Sequence, residues 1–188
     1  MMNEKIIWNY LYKKLNNVYG TAAMMGNLFA ESSLNPKCAN GVKKLGLTND
    51  EYTSIVDAHK NDNFITDGIA YGLVQWCYKT RKQGLLELAK EQNKSIGDIN
   101  LQLDYMWGEL QKYKTVLNAL YNAKNIREVS DIVMLKYEKP ANKSEEAKKK
   151  RASYGEKYLA KYGKPIIQFN INAKTAKNIM KEIEGKIL

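Results

Sequence analysis

Histidine, cysteine and proline are all scarce in this chain of 188 residues, which holds one His, two Cys and three Pro. A lone His59 with Cys38 and Cys77 falls short of the roughly four Cys/His ligands of a structural zinc, so no protein-built metal site is expected. Two cysteines in a chain that shows no signal peptide read as free thiols. No stretch approaches the ~18 consecutive apolar residues of a membrane span. The N-terminal Met1-Met-Asn-Glu-Lys-Ile-Ile-Trp8 lacks the long apolar centre of a secretory signal. Internal repeats and low-complexity tracts are missing as well.

What is present is an ordinary globular composition, 44% apolar, with a formal charge of +10. Such a length suits one domain with a real core. The charge is uneven: residues 136–164 carry ten Lys/Arg against four Glu. This bias fits a polyanionic partner, whether nucleic acid, an anionic membrane or the anionic polymers of a bacterial wall, and charge alone does not choose among them. The run Lys148-Lys-Lys-Arg151 also reads simply as a solvated helix face.

Helical periodicity dominates. Ile7, Tyr10, Leu11, Lys14, Leu15 and Val18 trace a first amphipathic helix, and Ala22, Met25, Leu28 and Phe29 a second. Thr48-Asn-Asp-Glu51 is a capping box for a helix to about Asp57, and Thr80-Arg-Lys-Gln83 has the same pattern. A short strand pair is expected around Phe64 and Ile65. Further helices are expected near 98–111, 114–123, 126–138 and 145–162, with caps at Asn125 and Ser144 and a stop at Gly163 before Pro165. The class is therefore mainly α. Residues 1–165 form the expected domain, and 166–188, where the pattern changes, an appendage or linker helix.

The segment Gly26-Asn-Leu-Phe-Ala-Glu31-Ser-Ser-Leu-Asn35, followed by Pro36, sets Glu31 in the last turn of an apolar helix. Helix carbonyls and the apolar Leu28, Phe29 and Leu34 would both favour a protonated carboxyl there, as a general acid requires. The plain alternative is a solvated glutamate at a helix end. Downstream, Asp67-Gly-Ile-Ala-Tyr71-Gly-Leu-Val-Gln75-Trp76, then Arg81, joins a carboxylate, an amide and two aromatics to permissive glycines. Rings that stack on pyranose faces and polar groups that meet hydroxyl and acetamido groups compose a sugar cleft. Read singly, Tyr71 and Trp76 are equally core residues.

Together these segments resemble the phage tail lysozyme family, within the wider lysozyme-like group. Gly26-Asn27, Ala30-Glu31-Ser32 and Asn35-Pro36 look like the family's catalytic-glutamate segment, and Tyr71-Gly-Leu-Val-Gln-Trp76 like its cleft motif. Gln102 to Leu110 and Tyr137-Glu138-Lys139-Pro140 resemble its later helical segments, so the likeness spans about residues 5–162. It implies a lysozyme-like helical domain with a small loop or β-hairpin region bordering a substrate cleft. It also implies hydrolysis of the β-1,4 bond between N-acetylmuramic acid and N-acetylglucosamine in peptidoglycan, without a cofactor.

Under that resemblance Glu31 is the general acid, and Tyr71, Gln75 and Trp76 position the sugar. Arg81 would meet a lactyl or peptide carboxylate, or else stabilise a helix end. Asp67 is the first choice for a second carboxylate, as nucleophile at about 5 Å or as base for a water at about 6.5–9.5 Å from the acid; Asp57 and Asp62 are weaker candidates. A lytic transglycosylase of the same fold needs no second carboxylate, because the substrate's own 6-hydroxyl attacks. Two other classes remain open. A thiol amidase would pair Cys38 or Cys77 with His59 but lacks a nucleophile turn. A basic nucleic-acid-binding module would use the charge and 13 tyrosines but lacks a recognition motif, so no nucleic acid is expected. Without a signal peptide, action on the bacterial wall implies delivery by a phage tail, release through a holin, or a further domain beyond residue 188.

Overall fold

The structure, a computed structural model, describes residues 2–58 and 63–163. Two of the expectations, the appendage at 166–188 and a role for Asp62 or His59, lie outside the described residues. Among the described residues there are eight α-helices and one two-stranded sheet. Helices α1 (Met2–Leu15) and α2 (Val18–Ser32) are followed by strand β1 (Ala39–Asn40), a 3-10 turn (Val42–Leu45) and α3 (Asn49–Asp57). Strand β2 (Ala70–Tyr71), then α4 (Lys79–Glu91), α5 (Ile99–Leu110), α6 (Lys114–Tyr121), α7 (Ile126–Val133), a π-helical turn (Met134–Glu138) and α8 (Glu145–Tyr162) complete the order. None of these helices is long and apolar enough to cross a membrane.

The centre of the molecule is α2. Its stretch Gly20 to Leu28 is buried on every side, as a helix apolar all round must be, and it packs against α1, α6, α7 and α8. The crossing with α8 is made by glycines. A Cβ on Gly26 would lie 2.4 Å from the Arg151 carbonyl oxygen and 2.6 Å from the Gly155 nitrogen, and one on Gly155 would lie 2.8 Å from the Ala22 carbonyl. These are backbone atoms, so only glycine at both positions lets the helices approach this closely.

Several local expectations hold. Thr48 and Glu51 form the reciprocal capping box of α3, Asn125 accepts from the Glu128 amide at 2.9 Å, and Ser144 caps α8 through Ala147. Others do not. The strand pair is formed by Ala39–Asn40 against Ala70–Tyr71, antiparallel, rather than around Phe64. Phe64 is instead a fully buried ring wedged against Tyr52 and Tyr71, and that burial outweighed its strand propensity. Helix α4 starts at Lys79 with Tyr78 before it and no side-chain cap, so Thr80 is not its N-cap. The expected single helix over 126–138 gives way to the π-turn at Met134, which ends with Lys139 left-handed at φ 52°. That turn aims Tyr137 and Glu138 inward.

Candidate active site

Glu31 is the penultimate residue of α2, whose end is forced by two successive left-handed residues, Ser33 (φ 53°) and Leu34 (φ 61°). Leu28 and Leu34 are buried as expected, whereas Phe29 points away from them to pack edge-on against Tyr154 and Tyr158. The Glu31 side chain is 16% exposed, so it is neither sealed in the core nor free in solvent. Its immediate neighbour is a cation: Arg151 Nη2 donates to Glu31 Oε1 at 2.5 Å. Among the described residues the other carboxyl oxygen makes no hydrogen bond, which leaves it available to a bound sugar.

The guanidinium is itself held. Arg151 Nη1 reaches Asn27 Oδ1 at 3.3 Å, and Asn27 Nδ2 donates to Ser130 Oγ at 3.0 Å and to the Ala23 carbonyl at 3.0 Å. A planar fork gripped at both ends has a fixed orientation. The Gly26–Gly155 crossing brings this assembly together, because it seats the start of Arg151's turn directly over the segment that carries Asn27 and Glu31. Sequence reasoning assigned Arg151 to a solvated basic run. Arg151 lies on the buried face of α8 that Ala152, Gly155 and Tyr158 continue, while Lys149 and Lys150 are exposed and Lys148 only partly covered.

The cleft motif is fastened to the same helix end. Ser32 Oγ donates to the Leu73 carbonyl at 3.0 Å, Leu73 N donates to Gln102 Oε1 at 2.9 Å, and Gln102 Nε2 donates to the Pro36 and Ile96 carbonyls at 2.6 Å each. Tyr71 and Trp76 exchange backbone hydrogen bonds of 3.0 and 2.8 Å, closing a hairpin over Gly72 to Gln75. Gly72 lies at φ 79°, and a Cβ there would sit 2.7 Å from Gln102 Oε1, so the turn demands glycine twice over. Ser32, the residue after Glu31, is thus bonded directly to the Tyr71 to Trp76 hairpin.

The individual roles expected of that hairpin need revision. The Tyr71 and Trp76 rings are both fully buried, so neither presents a face on which a sugar stacks. Tyr71 shares a 2.7 Å hydrogen bond with Thr53, and Trp76 Nε1 donates to Glu109 Oε2 at 2.8 Å. They pack behind the hairpin as part of the core. Gln75, left-handed at φ 53°, donates to the Cys38 and Gly72 carbonyls at 3.0 and 2.9 Å yet stays partly exposed.

Arg81 is also committed. Its Nε and Nη2 donate to Glu109 at 2.6 and 2.7 Å, and Tyr137 donates to Glu109 Oε2 at 2.9 Å. The Arg81 guanidinium lies 5.2 Å from the Tyr137 ring centre. Burial works against its charge, but the Glu109 bond overcomes this and raises its pKa. Burial likewise raises the Tyr137 hydroxyl, reinforced by the nearby Glu109 charge. Glu109, which the sequence reading left without a role, is thus the acceptor for Trp76, Arg81 and Tyr137 together.

Asp67 sits in a separate cluster. Its Oδ2 accepts from Tyr52 at 2.5 Å, and its Oδ1 accepts from Lys82 at 2.5 Å and from the Ile69 amide at 2.9 Å. Lys82 is wholly buried, 4.2 Å from the Phe64 ring centre, and burial lowers its pKa while Asp67 opposes the shift. Asp57 accepts from Ser95 and the Ile96 amide. Asp57 is the last residue of α3, and Asp67 lies in the loop that leads to β2. The thiols of Cys38 and Cys77 are free.

One further carboxyl is sealed from solvent. Glu138, delivered by the π-turn, is partly exposed as a residue, but its Oε1 is sealed from solvent and has no hydrogen-bond partner. Burial drives its pKa well above the ordinary glutamate value, the negative charge of Glu31 adds to the shift, and Arg81 and Arg151 counter it.

A family model of phage tail lysozymes matches residues 2–162, the span that contains every one of these groups. The chain belongs to the phage tail lysozyme family. No curated protein matches the chain. Membership makes it a lysozyme-like peptidoglycan hydrolase, and the substrate of such enzymes is the bacterial cell wall. In this phage tail lysozyme the matched region closes at Tyr162, the last residue of α8, so the helix that carries Arg151 is part of the family's domain.

Proposed function

We propose that the chain cleaves the β-1,4 bond between N-acetylmuramic acid and N-acetylglucosamine, with Glu31 as the general acid. The observation that carries this reading is the position of Glu31: partly open at the end of α2, oriented by Arg151, and tied through Ser32 to the hairpin of Leu73. Glu31 passes a proton to the glycosidic oxygen as the C1–O bond breaks. The leaving sugar departs with a free 4-hydroxyl, and the oxocarbenium-like sugar is captured at C1 by a water whose proton passes to the Glu31 carboxylate, restoring the acid. A positioned acid of this kind contributes about 10²–10⁴-fold to rate. Gln75, Tyr71, Trp76 and Arg81 act by holding the hairpin: Gln75 Nε2 is committed to the Cys38 and Gly72 carbonyls and its Oε1 is sealed from solvent. No cofactor enters this scheme.

A lytic transglycosylase is the second reading, and the bonding of Asp67 favours it. Both oxygens of Asp67 are already engaged by Tyr52, Lys82 and the Ile69 amide, which counts against Asp67 as nucleophile or base. In this route the 6-hydroxyl of the muramic residue attacks C1, and the Glu31 carboxylate takes its proton. Digestion of purified peptidoglycan with mass analysis of the fragments separates the outcomes. Reducing muramic ends mark a muramidase, reducing glucosamine ends a glucosaminidase, 1,6-anhydro ends a transglycosylase, and freed peptides an amidase. Glu31→Gln keeps the shape of the side chain and removes its proton, so a folded, inactive protein is expected. A folded Glu31→Gln protein with full lytic activity would remove the basis for the proposal.

The exposed lysines of α8 are proposed to hold the enzyme near anionic wall polymers by charge steering. Added salt should then weaken binding to intact walls before it slows cleavage of small soluble fragments. Delivery by a tail, release through a holin, or linkage to a further domain are all compatible with this activity.

A further inference from the structure

We propose that the cavity lined by Phe29, Tyr154 and Tyr158 is a second, non-catalytic binding site, which takes an N-acetylated sugar unit of the wall glycan. The inference rests on peptidoglycan being the substrate and not on Glu31 being the acid. Phe29 leaves α2 two residues before Glu31, about 200° around the helix at roughly 3.6 residues per turn, so it faces away from that carboxyl. Together with Tyr154, Lys157, Tyr158 and Lys161 of α8 and Glu4 of α1 it lines a cavity of about 340 Å³. That volume falls among small-molecule sites, roughly 300–1,000 Å³, and the mixture of aromatic walls with a few polar groups is typical of them.

Tyr158 is the residue that points to a ligand. It is only 7% exposed, and a tyrosine buried to that degree usually finds a partner for its hydroxyl. Here the hydroxyl has no hydrogen-bond partner among the described residues. It is not sealed either, unlike the unpartnered oxygens of Thr21, Gln75 and Glu138, so it opens onto the cavity that its residue lines. Burial, reinforced by the Glu4 charge, raises its pKa, so it stays an O–H donor. Phe29 and Tyr154 are both partly exposed and meet edge-on with ring centres 4.6 Å apart. An edge-on pair leaves ring surface open to the apolar face of a pyranose. At the rim, Lys161 is paired with Glu4, which also accepts from Tyr162 at 3.0 Å. Lys157 makes no ion pair among the described residues, and its ammonium lies 5.6 Å from the Tyr154 ring centre. This positive rim disfavours a cationic guest between the rings and suits the carboxylate that a muramic unit or its peptide carries. A strand held here as well as in the cleft is bound at two points, which raises its effective concentration at the site of cleavage.

The test is a titration of ¹⁵N-labelled protein with N,N′-diacetylchitobiose, a neutral disaccharide of N-acetylglucosamine. Saturating amide shifts are expected at Phe29 and across Tyr154 to Lys161, and Tyr154→Ala and Tyr158→Phe should each weaken that binding by about two- to tenfold, with kcat on short soluble peptidoglycan fragments unchanged. Lys157→Gln should weaken binding of a muramyl fragment but not of the neutral disaccharide. Shifts confined to Glu31 and the Tyr71 to Trp76 hairpin overturn the proposal, as do shifts on α8 that neither tyrosine substitution weakens. A loss of short-fragment cleavage that matches the loss of binding also overturns it, because the cavity then belongs to the catalytic cleft. Tyr158→Phe keeps the ring and removes only the hydroxyl, so it decides alone if Tyr154→Ala does not fold. Because binding is read rather than cleavage, the result is independent of Glu31→Gln: an active Glu31→Gln protein removes the acid assignment and leaves this site standing, and an empty cavity leaves the acid assignment standing.

Discussion

Arg151 and Glu31 are 120 residues apart in sequence, yet the guanidinium of one donates to the carboxylate of the other at 2.5 Å with both side chains mostly buried, 9% and 16% exposed. A buried pair is costly to break from one side, because the remaining charge keeps its desolvation penalty and loses its partner. This asymmetry makes Arg151 a more sensitive position than any of the lysines before it. Arg151→Met should lower unfolding free energy by about 3 kcal/mol and abolish most wall lysis. Arg151→Lys, which keeps the charge but lacks the fork that grips Asn27 and Glu31 together, should fall between that variant and wild type. Urea unfolding and turbidity clearance of wall suspensions measure both effects.

Gly26→Ala tests the helix crossing. The new methyl would lie 2.4 Å from the Arg151 carbonyl oxygen, and because the obstacle is backbone, α8 must move away. A cost of about 1–3 kcal/mol is expected for such overpacking, with a larger proportional loss of activity because Arg151 moves with its helix. Gly108→Ala is the matched control. It sits exposed in α5, where an added methyl would have nothing within 4 Å, and should gain up to about 1 kcal/mol through helix propensity.

Asp67→Asn separates a structural aspartate from a catalytic one. Removal of its charge leaves Lys82 buried without a counterion, so stability should drop by about 3 kcal/mol. Activity per folded molecule, measured well below the melting temperature, should remain close to wild type. A stable variant that does not cleave would return Asp67 to the chemistry.

Glu138 should leave a mark on stability. A carboxyl whose folded-state pKa lies above its unfolded value of about 4.5 binds more protons when folded. Its contribution is therefore complete below that value and is lost as pH rises through the folded pKa. Wild type should lose stability across this window relative to Glu138→Gln, with a slope difference of at most ~1.4 kcal/mol per pH unit. Urea midpoints of both proteins over a pH series read it directly.

Replacing both thiols with alanine, at Cys38 and Cys77, should leave lysis intact, since Cys77 is exposed and bonds only weakly to the Gly68 carbonyl and burial raises the Cys38 pKa, which disfavours its thiolate. Loss of peptidoglycan cleavage in that double variant would revive the thiol amidase reading.

The parts of this site that are legible in the sequence are those written in contiguous residues. Glu31 follows an apolar helix, and Tyr71 to Trp76 form a hairpin around a glycine, so each announces itself locally; their meeting through Ser32 and Leu73 is implied by the family resemblance. Helices α7 and α8 are readable at their starts because the expected caps, Asn125 and Ser144, are in place. What stays hidden depends on partners far along the chain. Tyr71 and Trp76 look alike whether they face a sugar or a core, and only packing against Phe64 and Tyr105 decides the matter. Arg151 is a basic residue in a basic run until α2 lies against it. Glu138 carries no periodic or capping signal, because the π-turn that aims it inward replaces the helix that the pattern predicts.

Arg151 comes from the last described helix, while the Glu31 carboxyl it holds comes from the second. A nascent polypeptide still on the ribosome, with α8 not yet emerged, has the hairpin and Glu31 but no guanidinium to aim the carboxyl. The Gly26 groove on α2 stays empty until that helix docks, so under the proposed function lytic competence waits for α8 to leave the ribosome.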